Sequence, residues 1–380
     1  MKRVYLDNAS TTALRPEVIA EMTEVMASAY GNPSSTHSFG RSAKTIVEAS
    51  RKKIAALVGA DAGEIIFTSG GTEADSWVIQ SAVRNLGVKR IITSRAEHHA
   101  VLNTVALVAG EFSTQVNMVR LDSKGQPELS HLEALLSDNI PTLVSLMHIN
   151  NETGVVLDLQ AVGNLCRQYN ALFHTDTVQT FGKEKISFKD LPVDFAAASA
   201  HKFHGPKGVG FAFIRKGLGI QPIIAGGEQE KGLRAGTEAV HQIAGMAKAL
   251  ELSYINLDIE RQHISNLKGY LFEQLDNHFP GYKVNGTDKG VGHEMLFYNI
   301  ANVMLPLPEE KTSMILFQLD MKGVAVSRGS ACQSGSIKPS HVLQEILCDD
   351  DLKKPSLRIS FSHYNTKEDI DLLIEALKTI

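Results

Sequence analysis

The chain has 380 residues, 43% apolar and 21% charged, which is ordinary composition for two domains with a sizeable core. With 38 basic against 42 acidic residues the net charge is −4, so nothing favours phosphate backbones and direct nucleic acid binding is not expected. Residues 1–8 lack an apolar signal core, no run approaches the roughly 18 apolar residues of a membrane span, and Cys166, Cys332 and Cys348 form neither an even set nor a CxxC pair; a cytoplasmic protein without membrane, disulfide or zinc chemistry is expected.

Along the chain, runs rich in apolar and β-branched residues occur at 64–67, 90–93, 116–121, 142–149, 171–175, 194–198 and 209–214, separated by stretches of helical period. This alternation predicts an α/β architecture around a mainly parallel sheet. A long helical pattern from about 238 to 278 stops before Pro280 and reads as a connector to a second domain. The remainder carries fewer strands and three helices, near 309–322, 340–348 and 366–379.

Five polar clusters follow five of the runs: TSGGTE (68–73), EHH (97–99), NNE (150–152), Asp176, and SAHK (199–202). In an open parallel sheet the ligand crevice lies beyond the carboxyl ends of the strands, so these clusters are expected to converge there. The turn around Gly71 and Thr72 would offer free N–H groups and a hydroxyl to an anion at a helix start, though an ordinary strand-to-helix turn reads the same way. Walker and GxGxxG fingerprints are absent. Asp176 at a strand end suits a cationic partner, or alternatively a helix cap or a salt bridge to Lys183 or Lys185. Lys202, set between His201 and His204 after an apolar run, suits an amine that must lose its proton, a shift from about 10.4 to about 7 that costs roughly 4 kcal/mol. Taken singly, it also reads as a surface lysine. Anion cradle, acid and amine together are the set that pyridoxal phosphate requires. His98 or His99 would supply a flat imidazole to stack on its ring.

Cys332 lies in a loop free of acids, four residues after Arg328, a setting that favours the thiolate. Cys348 precedes three aspartates and Cys166 falls on a helical pattern, so both are expected to be structural.

Read as an ordered whole, these features resemble the cysteine desulfurases of the NifS and IscS type, within the class V, fold-type-I pyridoxal phosphate enzymes. The likeness runs nearly end to end: YLDNASTT (5–12), GNPS (31–34), GGEQEKGLRAGTE (226–238), SAC (330–332) and LRI (357–359). It implies a large cofactor domain (16–255) with a seven-stranded, mainly parallel sheet flanked by helices, and a smaller α+β C-terminal domain (256–380) carrying the cysteine loop (327–336). Residues 1–15 would pack with the small domain.

Carried over by position, Lys202 resembles the Schiff-base lysine and general acid/base, Asp176 the partner of the pyridine nitrogen, and His98 the stacked imidazole. Gln179 resembles the residue at the ring hydroxyl, with Val178 or Thr177 under the opposite ring face. Gly71, Thr72, Ser199 and His201 resemble the phosphate site, to which Thr237 of a second subunit would add. Asn151, also close to the cofactor, and Arg358 resemble the holders of the substrate carboxylate, and Cys332 the nucleophile that takes the sulfur as a persulfide. The implied reaction converts L-cysteine to L-alanine in a homodimer, with sulfur passing to an acceptor or iron–sulfur scaffold protein, for cluster assembly, thio-cofactors or transfer RNA thiolation. Two positions depart from the pattern: Thr177 where alanine is frequent, and Arg328 where serine is. The competing readings are a selenocysteine lyase, another class V lyase or aminotransferase with no use for Cys332, and a sulfur-carrier module that has lost catalysis.

Overall fold

The computed structural model describes residues 3–287, 296–329 and 339–380. Strand β1 (Val4–Tyr5) is followed by the seven strands of the main sheet: β2 (Ile65–Thr68), β3 (Arg90–Thr93), β4 (Gln115–Met118), β5 (Thr142–Ser145), β6 (Leu172–Asp176), β7 (Phe195–Ser199) and β8 (Gly210–Ile214). Their order is β2-β8-β7-β6-β5-β3-β4. Neighbours run parallel except β8, which is antiparallel to both β2 and β7, so the sheet is mainly parallel as expected.

Alternating side chains of these strands feed two cores, because a strand's residues point to opposite faces in turn. Ile65, Phe67, Phe173, Ala196, Ala198, Phe211 and Phe213 meet the helices Pro16–Ser28, Ser38–Leu57, Leu159–Gln168 and Val240–Ile255 on one face. Ile66, Ile91, Leu143, Phe195, Ala197 and Ala212 meet Gly71–Asn85 and His99–Phe112 on the other. Cys166 is buried in the first of these cores, in keeping with a structural thiol. Every predicted run yields one strand, but 142–149 forms strand only to Ser145; Met147 and Ile149 beyond it turn out to line a cavity.

The long helical pattern is two helices, Val240–Ile255 and Leu257–His278. Asn256 breaks it without proline or glycine: its backbone leaves helical geometry and its side-chain amide donates to Leu252 O at 2.9 Å. A side chain that competes for the backbone of the preceding turn is a weak signal in sequence.

Three further strands, β9 (Lys283–Val284), β10 (Ile300–Met304) and β12 (Ser356–Ser360), form an antiparallel sheet in the order β12-β10-β9, while β11 (Val324–Ala325) pairs in parallel with β1. A third core gathers Val4 and Leu6 with Ile264, Leu271, Val303, Ile359 and Leu373. The expected helix 309–322 is a 3-10 turn at Glu309–Lys311 and then Ile315–Met321; 340–348 is helical only over His341–Gln344. An unforeseen helix, Asp349–Lys353, starts on three acids that suit a helix N-terminus. Cys348 precedes that helix and is exposed, which corrects its assignment as a structural residue.

The segment 5–12 joins the two parts. Asn8 Nδ2 donates to Ser360 O, Ala9 N to Ser360 Oγ, and Thr12 N to His201 O.

Candidate active site

The carboxyl ends of β2, β3, β5, β6 and β7 open on a cavity of about 290 Å³, at the lower end of the roughly 300–1,000 Å³ typical of small-molecule sites. Its lining includes ten of the expected residues: Gly71, Thr72, His98, Asn151, Asp176, Gln179, Ser199, His201, Lys202 and Arg358. Val178, not Thr177, contributes to the wall, since Thr177 is buried and its hydroxyl donates to Ala197 O. Thr237 is elsewhere, in a cavity formed with Val25, Met26 and residues 29–33 and 238–241. Cys332 and the residues around it, 330–338, lie outside the described residues.

Each wall has a local cause. The helix Gly71–Asn85 starts at Gly70 with no side-chain cap, so its first-turn N–H groups face the strand ends unspent by a capping oxygen. Glycine is needed at that turn, for a Cβ on Gly71 would sit 2.5 Å from Val178 Cγ2, and one on Gly210 would meet Gly70 Cα at 2.8 Å. Ser199 Oγ lies beside Gly70, and His201 shares a hydrogen bond with Thr11 Oγ1 at 3.1 Å.

Lys202 is the last residue of a 3-10 turn, Ala200–Lys202, that follows β7 directly. Its Nζ donates to the carbonyl oxygens of Ala9 (2.7 Å) and Ser10 (2.8 Å). His98 is the N-cap of the helix His99–Phe112, and its Nδ1 accepts from Ala100 N at 3.1 Å, which leaves the proton of a neutral ring on Nε2. Burial pushes its pKa down, against the opposing pull of Asp176. Burial also draws His201 down to about 4, helped by Lys202.

Asp176 ends β6, buried, and its Oδ1 accepts from Val178 N at 2.8 Å. Burial raises its pKa, as the neighbouring His98 and Lys202 do not fully offset the loss of water. Two more acids stand behind it. Asp75 and Glu97 are completely buried and held well above the usual carboxylate range, first by burial and also by Asp176. Asp75 Oδ1 is 3.2 Å from His174 Nε2, whose pKa burial lowers to about 3, and Glu97 Oε1 accepts from Met147 N. Asp75 lines the cavity and had no sequence signal beyond an acid on an otherwise apolar helix face; Glu97 was visible in its cluster, beside histidines of more obvious chemistry.

On the far wall Arg358 is fully buried. Its guanidinium donates to Asn151 O (2.9 Å), Asp7 Oδ1 (2.8 Å) and Ser10 Oγ (2.5 Å), while Nε has no partner among the described residues. Asn150 organises the loop under Asn151, accepting from the backbone N–H groups of Glu152 and Thr153.

The donor set fits pyridoxal phosphate. An uncapped helix start with Ser199 and His201 suits its phosphate, a buried acid hydrogen-bonded by a backbone N–H suits a pyridinium, and an amine in the same cavity suits its aldehyde.

Comparison with known proteins identifies the family. The family described as aminotransferase class-V matches residues 4–373. The chain is 41% identical over 384 aligned residues to the cysteine desulfurase IscS of Dictyoglomus turgidum, covering 100% of this chain and 95% of that one. Against the cysteine desulfurase IscS of Clostridium botulinum it is 40% identical, covering 100% and 94%. A solved NifS-like protein superimposes with a TM-score of 0.89 at 35% identity, covering 100% of this chain and 99% of that one. The chain belongs to the class V aminotransferase family, in its cysteine desulfurase branch.

Proposed function

We propose that this protein is a pyridoxal phosphate-dependent cysteine desulfurase in which Lys202 carries the cofactor and Cys332 takes the sulfur. The observation that supports it best is the cavity itself, where amine, buried acid, imidazole, uncapped helix start and buried guanidinium come from five separate chain segments. Gly71, Thr72, Ser199 and His201 would hold the phosphate, Asp176 the ring nitrogen, His98 and Val178 the two ring faces, and Gln179 the ring oxygen. When bound, the cofactor supplies an electron sink for the substrate's Cα.

The chain's own groups do the rest. Arg358 exchanges Asp7 and Ser10 for the substrate carboxylate, with Asn151 beside it, a charge-assisted and bidentate hold. Lys202 takes the Cα proton and returns it, positioned for this by the carbonyls of Ala9 and Ser10. The Cys332 thiolate attacks the substrate sulfur. An S–S bond forms as the C–S bond breaks, the carbon keeps the electron pair and is protonated, and the products are alanine and a Cys332 persulfide. A homodimer would bring Thr237 of one copy to the phosphate site of the other, which accounts for its distance from the cavity of its own chain. The persulfide then passes to an acceptor or iron–sulfur scaffold protein.

The test is to incubate the protein with L-cysteine and dithiothreitol and to quantify alanine and sulfide together. Equal amounts of both, dependent on pyridoxal phosphate and lost in Cys332→Ala, are expected. Neither product from a yellow, cofactor-loaded protein would overturn the reading, and sulfide from Cys332→Ala at the wild-type rate would overturn the role of the thiol.

A further inference from the structure

The turn after β6 contains a second interior lysine that the mechanism does not use. Lys183 is buried, its Nζ makes no ion pair with an acid among the described residues, and burial followed by the charge of Lys202 draws its pKa down to about 7. A cation in such a place is costly, and an apolar side chain would fill the same volume at less cost. What the ammonium contacts explains its presence. Nζ donates to Gln179 Oε1 at 2.8 Å and to Gln179 O at 3.3 Å.

The two residues stand four apart in a helical turn, with Glu184 N bonded to Thr180 O, so their side chains share a face. The turn is itself fixed. Gly182 has φ 74 and a Cβ there would lie 2.4 Å from Phe203 Cβ, next to Lys202, while Tyr298 donates its hydroxyl to Lys183 O. With its carbonyl end occupied by Lys183, the Gln179 amide must turn its nitrogen to Ala9 O, which it reaches at 2.8 Å. An amide nitrogen has two hydrogens, and one remains for the cavity that Gln179 lines. Ala9 O is also an acceptor for Lys202 Nζ, so Lys183, Gln179, Ala9 and Lys202 form one chain of contacts.

We propose that Lys183 is a positioning residue that locks Gln179 as a hydrogen-bond donor, so that the place facing Gln179 is built for an anionic oxygen. This rests on the pyridoxal phosphate reading, in which that oxygen is the phenolate of the cofactor ring. The donor and the nearby cation both favour the anion and lower the proton affinity of the nitrogen conjugated to it.

The experiment is a pH titration of the absorbance of the cofactor-loaded protein, wild type against Lys183→Met and Lys183→Gln. Loss of donor and cation in Lys183→Met should raise the titration midpoint by about one pH unit, and Lys183→Gln, which keeps an N–H donor without charge, should fall between. A midpoint in Lys183→Met within about 0.2 pH units of wild type overturns the inference, since a merely structural lysine would not move it. Gln179→Glu gives a second route should Lys183→Met fail to fold. It pairs with Lys183 and removes the donor, so its midpoint should rise as well, and an unchanged midpoint overturns the proposal. A wild-type protein that gains no cofactor absorbance would instead overturn the pyridoxal phosphate reading on which the proposal stands.

Discussion

Two places with buried acids, one around Glu230 and one at the cavity, are built in opposite ways. Under the helix Ser38–Leu57, Glu230 is buried and held by both Arg51 Nη atoms at 2.7 Å, with Phe67 N donating at 2.8 Å and the guanidinium stacked 4.4 Å from the Phe67 ring. The pair fixes a segment in which Glu230 and Lys231 both adopt positive φ. At the cavity, Asp176 has a single backbone donor, and Asp75 and Glu97 behind it meet no arginine or lysine among the described residues. The same chain can satisfy an interior acid with a guanidinium, whereas Asp176 relies on a backbone N–H and the nearby His98 and Lys202. Three acids so close cannot all ionise without help, and Asp176, which faces both His98 and Lys202, is the one poised to do so.

The comparison makes opposite predictions for its two halves. Glu230→Gln leaves Arg51 buried and half-paired and should cost about 3–5 kcal/mol in chemical denaturation, with or without cofactor. Asp176→Asn should leave the cofactor-free protein as stable as wild type or more so, but weaken pyridoxal phosphate binding by about 2–5 kcal/mol, read by equilibrium dialysis. Equal losses of stability in the two variants would break the contrast.

A subtler sign separates them with pH. Asp75 has a raised pKa in the folded state, so folding takes up a proton there and its burial opposes stability increasingly as pH climbs above the ordinary carboxylate value of about 4. Asp75→Asn should therefore gain on wild type by up to about 1.4 kcal/mol per pH unit above that point and gain nothing below it, as followed by urea melts from pH 4 to 7. The smallest effect belongs to a surface pair. Arg84 and Glu111 meet at 3.0 Å with both side chains more than a third exposed, and Glu111→Gln should change stability by no more than about 0.5 kcal/mol.

Much of this was legible in sequence because the clusters follow the strand runs directly. Gly71, Thr72, His98, Asn151, Asp176 and Lys202 needed only the rule that strand ends of a parallel sheet meet, and the sheet brought them together. Arg358 came from resemblance, since nothing in the period of β12 points a strand arginine at a site 150 residues or more away. The hold of Ala9 and Ser10 on Lys202 left no trace because it acts through main-chain carbonyls, which every residue has. The break at Asn256 escaped for a related reason: one side-chain amide ended a helix whose apolar pattern continued on both sides. Thr237 was named as a residue for another copy of the chain, and within one copy it stands in a different cavity.

The decisive experiment is to find where the cofactor attaches. Pyridoxal phosphate would be added to the purified protein, trapped with borohydride, and located by mass spectrometry of the peptides. The pyridoxyl group is expected on Lys202 alone. A group on Lys183 or on surface lysines, or no stable adduct, would contradict it.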